Sequence, residues 1–433
     1  MLFAAYAATL GIGARAGSDY AGDEPHFLLA AASIADGDGI GLAGAYTERT
    51  WTAWQREPLI SDGEVVGGRL VEPRGIGFAL LIAPAYALGG PNLVEALLAA
   101  IAALGFALAA ALARRVVPDP WATWAALLAG LSPPALAHAT AVTPALTAGA
   151  LLAGAALCAL AVRERPQMRT AFAGAAMLAV LPWLDPWLLV PAAPIAALLA
   201  RWTARRGRAV VALGTLELQL ASLVFYVSLN ERLYGGFTPL AVAEEPVTGA
   251  SSLGDYVDRV PRLVSLWLDR DVGLLRWAPV LALAFLGAWL LWRSRRERLG
   301  RLVAEQRDAE HAAFLALAVC AGQVAVAAFA LVSLGGLGAG LVPALPCAVP
   351  LVAWGLRHAP RVGWLLGALT LLGSVGLVAR GGWSGSDAPW WPLVGAWPLE
   401  GSTWADVVGV VAAAGVGALL VAESLRRRRE LRH

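Results

Sequence analysis

The chain has no lysine, so all 33 of its basic residues are arginine. It has three cysteines and only 15% charged residues. Soluble domains carry about 25% charged residues, so an ordinary water-facing globular surface is excluded. Cys158, Cys320 and Cys347 each fall in an apolar stretch rather than a loop. Their spacing fits neither a disulfide framework nor a zinc site, and they read as helix-packing residues. The net charge is +2, and no basic, aromatic-studded domain is present. That argues against a nucleic-acid partner. Walker loops, dinucleotide fingerprints, zinc-protease patterns and tandem repeats are also missing.

What is present is apolar: 58% of the 433 residues are hydrophobic. Apolar segments fall at 1–14, 91–113, 121–137, 141–162, 170–184, 187–200, 209–229, 273–292, 311–333, 337–356, 362–379 and 404–423. The expectation is an all-α polytopic membrane protein with about twelve spans, each needing about 20 residues. Residues 1–14 have no basic n-region and no trusted cleavage site, so they do not read as a signal peptide; they are short for a span, and either the helix continues through Gly17 or the true start lies upstream. Arginine clusters at 114–115, 163–169, 201–208, 293–301, 357–361 and 426–432 all fall on one side if the N-terminus is inside. By the positive-inside rule that side, with both termini, is cytoplasmic.

The other side then holds three long loops, at 15–90, 230–272 and 380–403, rich in Trp, Pro and Gly. Trp51, Trp54, Trp383, Trp390, Trp391 and Trp397 read as membrane-interface anchors or as sugar contacts. Residues 25–36 are expected to form a helix along the membrane surface, with Phe27, Leu28, Ala31 and Ile34 as its apolar face. Pro25 suits its first turn, and Asp23 or Glu24 its cap. Residues 75–90 read as a second surface or partly inserted helix.

The most pointed sequence is Gly22-Asp23-Glu24-Pro25-His26-Phe27-Leu28, followed by Asp36-Gly37-Asp38. It resembles the first outer loop of the GT-C glycosyltransferases that use polyprenyl-phosphate sugars, such as the protein O-mannosyltransferases and the aminoarabinose transferase of lipid A. A group of actinobacterial GT-C-like proteins carries Gly-Asp-Glu-Pro-His-Tyr-Leu here. The resemblance continues at Glu72-Pro73-Arg74-Gly75, Leu181-Pro182-Trp183-Leu184, Tyr234-Gly235, Leu268-Asp269-Arg270-Asp271, Gly273-Leu274-Leu275 and Ala278-Pro279. It implies a GT-C-like core over 1–290, with further membrane helices, the loop 380–403 and a basic tail over 291–433.

The implied activity is transfer of a sugar from a polyprenyl-phosphate donor to an acceptor outside the cell. The partners this implies are the lipid donor and membrane lipids, with a partner membrane protein or lipid in the subunit reading given below. No organic cofactor is implied, although the clustered acids suit a divalent cation. Such a donor has a good leaving group, so the enzyme must take a proton from the acceptor and neutralise the departing phosphate. Asp23 is the candidate base, or only a helix cap; Glu24 is its helper or a substrate-orienting residue. Arg74, Arg270 and Arg276 are candidate phosphate contacts, since guanidinium forks match phosphate. His26 faces substrate or solvent. Asp269, Arg270 and Asp271 contact substrate or form a local ion-pair network. Asp36 and Asp38 read as turn residues.

Two departures from the family pattern point to a second reading, a non-catalytic GT-C-like subunit. The turn His138-Ala139-Thr140-Ala141-Val142-Thr143-Pro144 lacks the carboxylate that many relatives carry there; Asp185, in the following outer turn, either takes over that role or caps a helix. Residues 334–340 are bare of aromatic and basic side chains. A third reading, a transporter, rests on Glu95 and Glu217, which fall inside apolar segments.

Overall fold

A computed structural model describes residues 1–12, 20–205, 208–243, 248–269, 272–298 and 306–381. Most of the loop 380–403, the apolar segment 404–423, the basic tail, Arg270 and Asp271 lie outside the described residues. Among the described residues, seven helices are long and apolar enough to cross a membrane, and two shorter apolar ones accompany them.

The first helix, α1 (Leu2–Ala7), is shorter than expected. Thr9 Oγ1 donates to the Tyr6 carbonyl at 2.8 Å, and Gly11 takes a left-handed φ of +76°. The chain turns there instead of continuing as helix. The next helix, α2 (Glu24–Ala35), was expected on the membrane surface with one greasy face. It is instead buried on most sides, His26 and Ser33 included. Phe27 meets Phe78 edge-on at 4.9 Å, because the start of α4 (Ile76–Ala113) packs over it.

Between these two helices in the chain come α3 (Ala43–Thr47), a short 3-10 turn at Thr50–Ala53, and a hairpin of β1 (Glu64–Val66) and β2 (Arg69–Val71). Gly67 and Gly68 both have positive φ, the backbone of a type I′ turn. Gly63 sits where the hairpin closes, and a Cβ there would run into the Val71 carbonyl. Trp51 is buried against Tyr46, and Trp54 is half-buried against Tyr86.

The long helix α4 (Ile76–Ala113) contains both the 75–90 stretch and the next span. Gly89 and Gly90 leave helical geometry just before Pro91, so two helices meet at a break. The segment at 121–137 divides into α5 (Trp121–Gly130) and α6 (Pro133–Thr140), with the Ser132-Pro133-Pro134 sequence starting the second. Then follow α7 (Ala145–Glu164), α8 (Met168–Leu184), α9 (Leu189–Arg205) and α10 (Ala209–Tyr234).

Small residues let these helices approach closely, as in membrane bundles generally. A Cβ on Gly105 of α4 would touch Ala150 of α7 at 3.0 Å, and one on Gly154 of α7 would meet Met177 of α8 at 2.8 Å. By contrast α10 is largely exposed, and Glu217 lies on its outer flank with Leu213, Leu216 and Leu220. Glu95 of α4 is buried and accepts from Tyr20 at 2.7 Å and from the Gly11 amide at 3.4 Å.

The remaining helices are α11 (Leu253–Asp258), α12 (Arg262–Leu268), α13 (Leu274–Trp277), α14 (Leu283–Arg298), α15 (Gln306–Ala325), α16 (Leu345–His358) and α17 (Pro360–Arg380). The loop helices α11 and α12 are tied to the end of α15, where one π turn frees backbone carbonyls. Arg259 donates to the Phe329 carbonyl and Arg262 to that of Leu331, each at 2.8 Å.

Candidate functional site

The hairpin explains the main polar cluster of the molecule. Glu64 pairs with Val71 in its register, so Asp62 just before β1 and Glu72 and Arg74 just after β2 emerge side by side. The first turn of α2 presents Asp23 and His26 to the same place.

Arg74 is the hub. Its Nε and Nη2 donate to Asp23 Oδ1 at 3.0 and 2.6 Å. Its Nη1 and Nη2 make a two-pronged contact with Asp62 at 2.7 and 2.8 Å. Nη1 also reaches Glu72 Oε2 at 3.4 Å. Burial alone would ease the proton off Arg74, but Asp62 and Asp23 outweigh it and hold the guanidinium charged. Burial likewise pushes Asp62 up, yet its bonds and charge contact with Arg74 bring the carboxyl below its ordinary range.

Behind Arg74 lies a buried layer. His26 Nδ1 is 3.0 Å from both Glu72 oxygens. The Tyr46 hydroxyl donates to Glu72 Oε1 at 2.5 Å and lies 3.2 Å from His26 Nδ1. Burial and the bond to Glu72 hold this phenol protonated, well above its usual range. His26, Asp62 and Glu72 offer ligand atoms within 4.8 Å of one another, a donor set suited by type to a divalent cation. Arg74 already engages two of the three.

Asp23 stands at the N-cap position of α2, but its side chain makes no capping hydrogen bond. It is 63% exposed, and both Arg74 bonds fall on Oδ1. Oδ2 has no hydrogen-bond partner among the described residues. Glu24 is different, being only 8% exposed. Its Oε2 accepts the Val142 amide at 3.0 Å, so it reaches into the very turn that lacks a carboxylate. Burial pushes the Glu24 carboxyl up to about 7.

Other parts of the resemblance converge on the backbone of Arg74. The Tyr234 hydroxyl donates to the Arg74 carbonyl at 3.2 Å. Gly77 packs against the Trp183 carbonyl so closely that a Cβ would collide. The rest of the sequence-derived set is placed elsewhere. Asp185 caps the short 3-10 turn Pro186–Leu188, accepting the Trp187 amide at 2.8 Å. Asp269 ends α12, and its Oδ1 accepts the Val272 amide at 3.1 Å. Arg276 is buried on α13, its guanidinium carbon 4.9 Å from the centre of a Trp277 ring. Arg270 lies outside the described residues.

Sequence reasoning placed no role on Asp62, Glu72 or Tyr46. A signal existed for the first two. Val65-Val66-Gly67-Gly68-Arg69-Leu70-Val71 is a Gly-Gly pair between β-branched residues, the pattern of a tight hairpin. Recognising it would have brought Asp62 beside Glu72.

No family model matches the chain, and no curated protein matches it. Among solved structures it is similar to the crystal structure of ArnT from Cupriavidus metallidurans in the apo state, with a TM-score of 0.52 and 16% identity. The match covers 87% of this chain and 62% of that one, so the chain spans less than two thirds of that structure's length. With its apolar helices, this likeness makes the chain a multi-pass, all-α membrane protein with the GT-C fold.

Proposed function

We propose that the protein is a GT-C-type membrane glycosyltransferase that moves a sugar from a polyprenyl-phosphate donor to a hydroxyl acceptor at the extracytoplasmic surface. The observation that carries this reading is the Asp23 carboxylate: on a GT-C fold, it is exposed, anchored through one oxygen by Arg74, and open at the other. Oδ2 takes the acceptor proton as the acceptor oxygen attacks the anomeric carbon. The bond from that carbon to the phosphate oxygen breaks, and polyprenyl phosphate leaves with inversion. Such a leaving group needs little acid assistance, so one base and a cationic environment suffice.

Every nitrogen of Arg74 is engaged by a carboxylate. We therefore assign Arg74 to positioning Asp23, and assign the phosphate contact to Arg270 and Arg276. Glu24 positions the first loop by holding the turn at Val142. In this reading the guanidinium supplies the positive charge that a divalent cation would otherwise bring.

The same saturation of Arg74 favours one alternative, a GT-C-like subunit that binds lipid without turnover. Purified protein in liposomes containing a polyprenyl-phosphate sugar separates the two. The transferase reading expects free polyprenyl phosphate and a glycosylated acceptor to appear together. Donor binding without release of polyprenyl phosphate would support the subunit.

A further inference from the structure

The end of the bundle away from Asp23 carries a cavity of about 430 Å³ between α9, α14 and α15. The distance is set by the helices. The last residue of α10, Tyr234, touches Arg74, and its first, Ala209, lies 25 residues away, about 38 Å along the axis. Arg201 and Arg205, at the end of α9, line this cavity four residues apart on one helix face.

Both arginines are exposed, and neither has a hydrogen-bond or ion-pair partner among the described residues. Trp202 lies buried between them, with Arg163 5.9 Å over its ring and His311 5.6 Å from it edge-on. Glu310 is the acidic side chain on the lining, so the arginines leave the cavity net positive. Ala288, Leu317 and Leu351 belong both to this cavity and to the wall of an adjoining, largely apolar one of about 370 Å³.

We infer that this cavity is a binding site for an anionic phospholipid of the leaflet on the arginine-rich side, with the headgroup phosphate between Arg201 and Arg205 and an acyl chain along Ala288, Leu317 and Leu351. Charge complementarity selects the occupant. Unpaired arginines at a membrane interface attract anionic headgroups, and basic pockets between spanning helices hold them. The adjoining apolar cavity continues the path that an acyl chain needs, whereas a soluble phosphate would leave it unused. The site is separate from the Asp23 cluster and stands independently of the reading given to it.

Native mass spectrometry of the full-length protein in detergent tests this, with phosphatidylglycerol and phosphatidylethanolamine of matched chains as probes. Phosphatidylglycerol binds the wild type more tightly. Arg201→Ala weakens it roughly fivefold, and the pair with Arg205→Ala about 25-fold. The pair Arg201→Lys and Arg205→Lys restores most of the binding, because the charge remains. Ala288→Trp blocks binding with both arginines intact, and the control pair Arg357→Ala and Arg361→Ala leaves it unchanged. Equal binding of the two lipids, or an equal loss in the control pair, overturns the inference. Displacement of the lipid by equimolar inorganic phosphate or glycerol phosphate also overturns it, since the site would then be one for free phosphate.

Discussion

The two ends of the molecule use arginine in opposite ways. At the hairpin end one arginine is shared among three carboxylates, and all its donors are spent inside the protein. At the far end, two arginines line a cavity with no ion-pair partner among the described residues. A saturated guanidinium fixes geometry; an unsatisfied one waits for a ligand. The difference follows from local structure. The hairpin returns Asp62, Glu72 and Arg74 to one point, whereas Arg201 and Arg205 stand on one helix face and share their cavity lining with a single acid, Glu310.

The contrast breaks most visibly on removing one arginine from each end. Arg74→Ala leaves Glu72, only 3% exposed, without its cation, and is expected to cost about 3 kcal/mol in stability. The Asp23 contact adds little to that figure because Asp23 is exposed. Arg201→Ala is expected to change stability by no more than about 0.5 kcal/mol. Denaturant unfolding in detergent compares them, and equal losses would erase the distinction.

A second test uses pH. Glu24 is carried from its ordinary 4.5 to about 7 by burial, so the folded state holds its proton more tightly than the unfolded one. Stability therefore falls as pH rises from about 4.5 to about 7, and remains lower above that. Glu24→Gln keeps an acceptor for Val142 and removes the slope. The variant is expected to match wild type near pH 4 and to exceed it at pH 8 by up to about 3 kcal/mol. Parallel stability-against-pH curves would place Glu24 in water rather than in the protein.

The smallest effect concerns the layer behind Arg74. Tyr46→Phe deletes the hydroxyl shared by Glu72 and His26 and is expected to cost about 1 kcal/mol. A variant as stable as wild type would mean that Glu72 is fully served by His26 and Arg74.

The fold class was legible because apolar length is a property of whole segments. The acidic motif was legible because it is contiguous. Three things were not. The break at Gly89 and Gly90 joins two apolar stretches that composition alone separates only loosely. The burial of α2 depends on α4 packing over it, a contact between distant residues. The Asp62–Arg74 contact depends on the hairpin, and only the Gly67-Gly68 turn between them hints at that return. Asp185 shows the reverse case: a lone acid before Pro186 is a cap by local chemistry, and the structure has it capping.

The central claim is that Asp23 is the base, and Asp23→Asn tests it most directly. Asn retains an Oδ1 that Arg74 can bond and, since the side chain makes no capping bond, leaves α2 intact. Transfer from a polyprenyl-phosphate sugar is measured for wild type and variant at matched amounts of folded protein in liposomes. The account predicts a fall of about 10²- to 10⁴-fold in transfer, with donor binding retained. Transfer by the variant at the wild-type rate would contradict it.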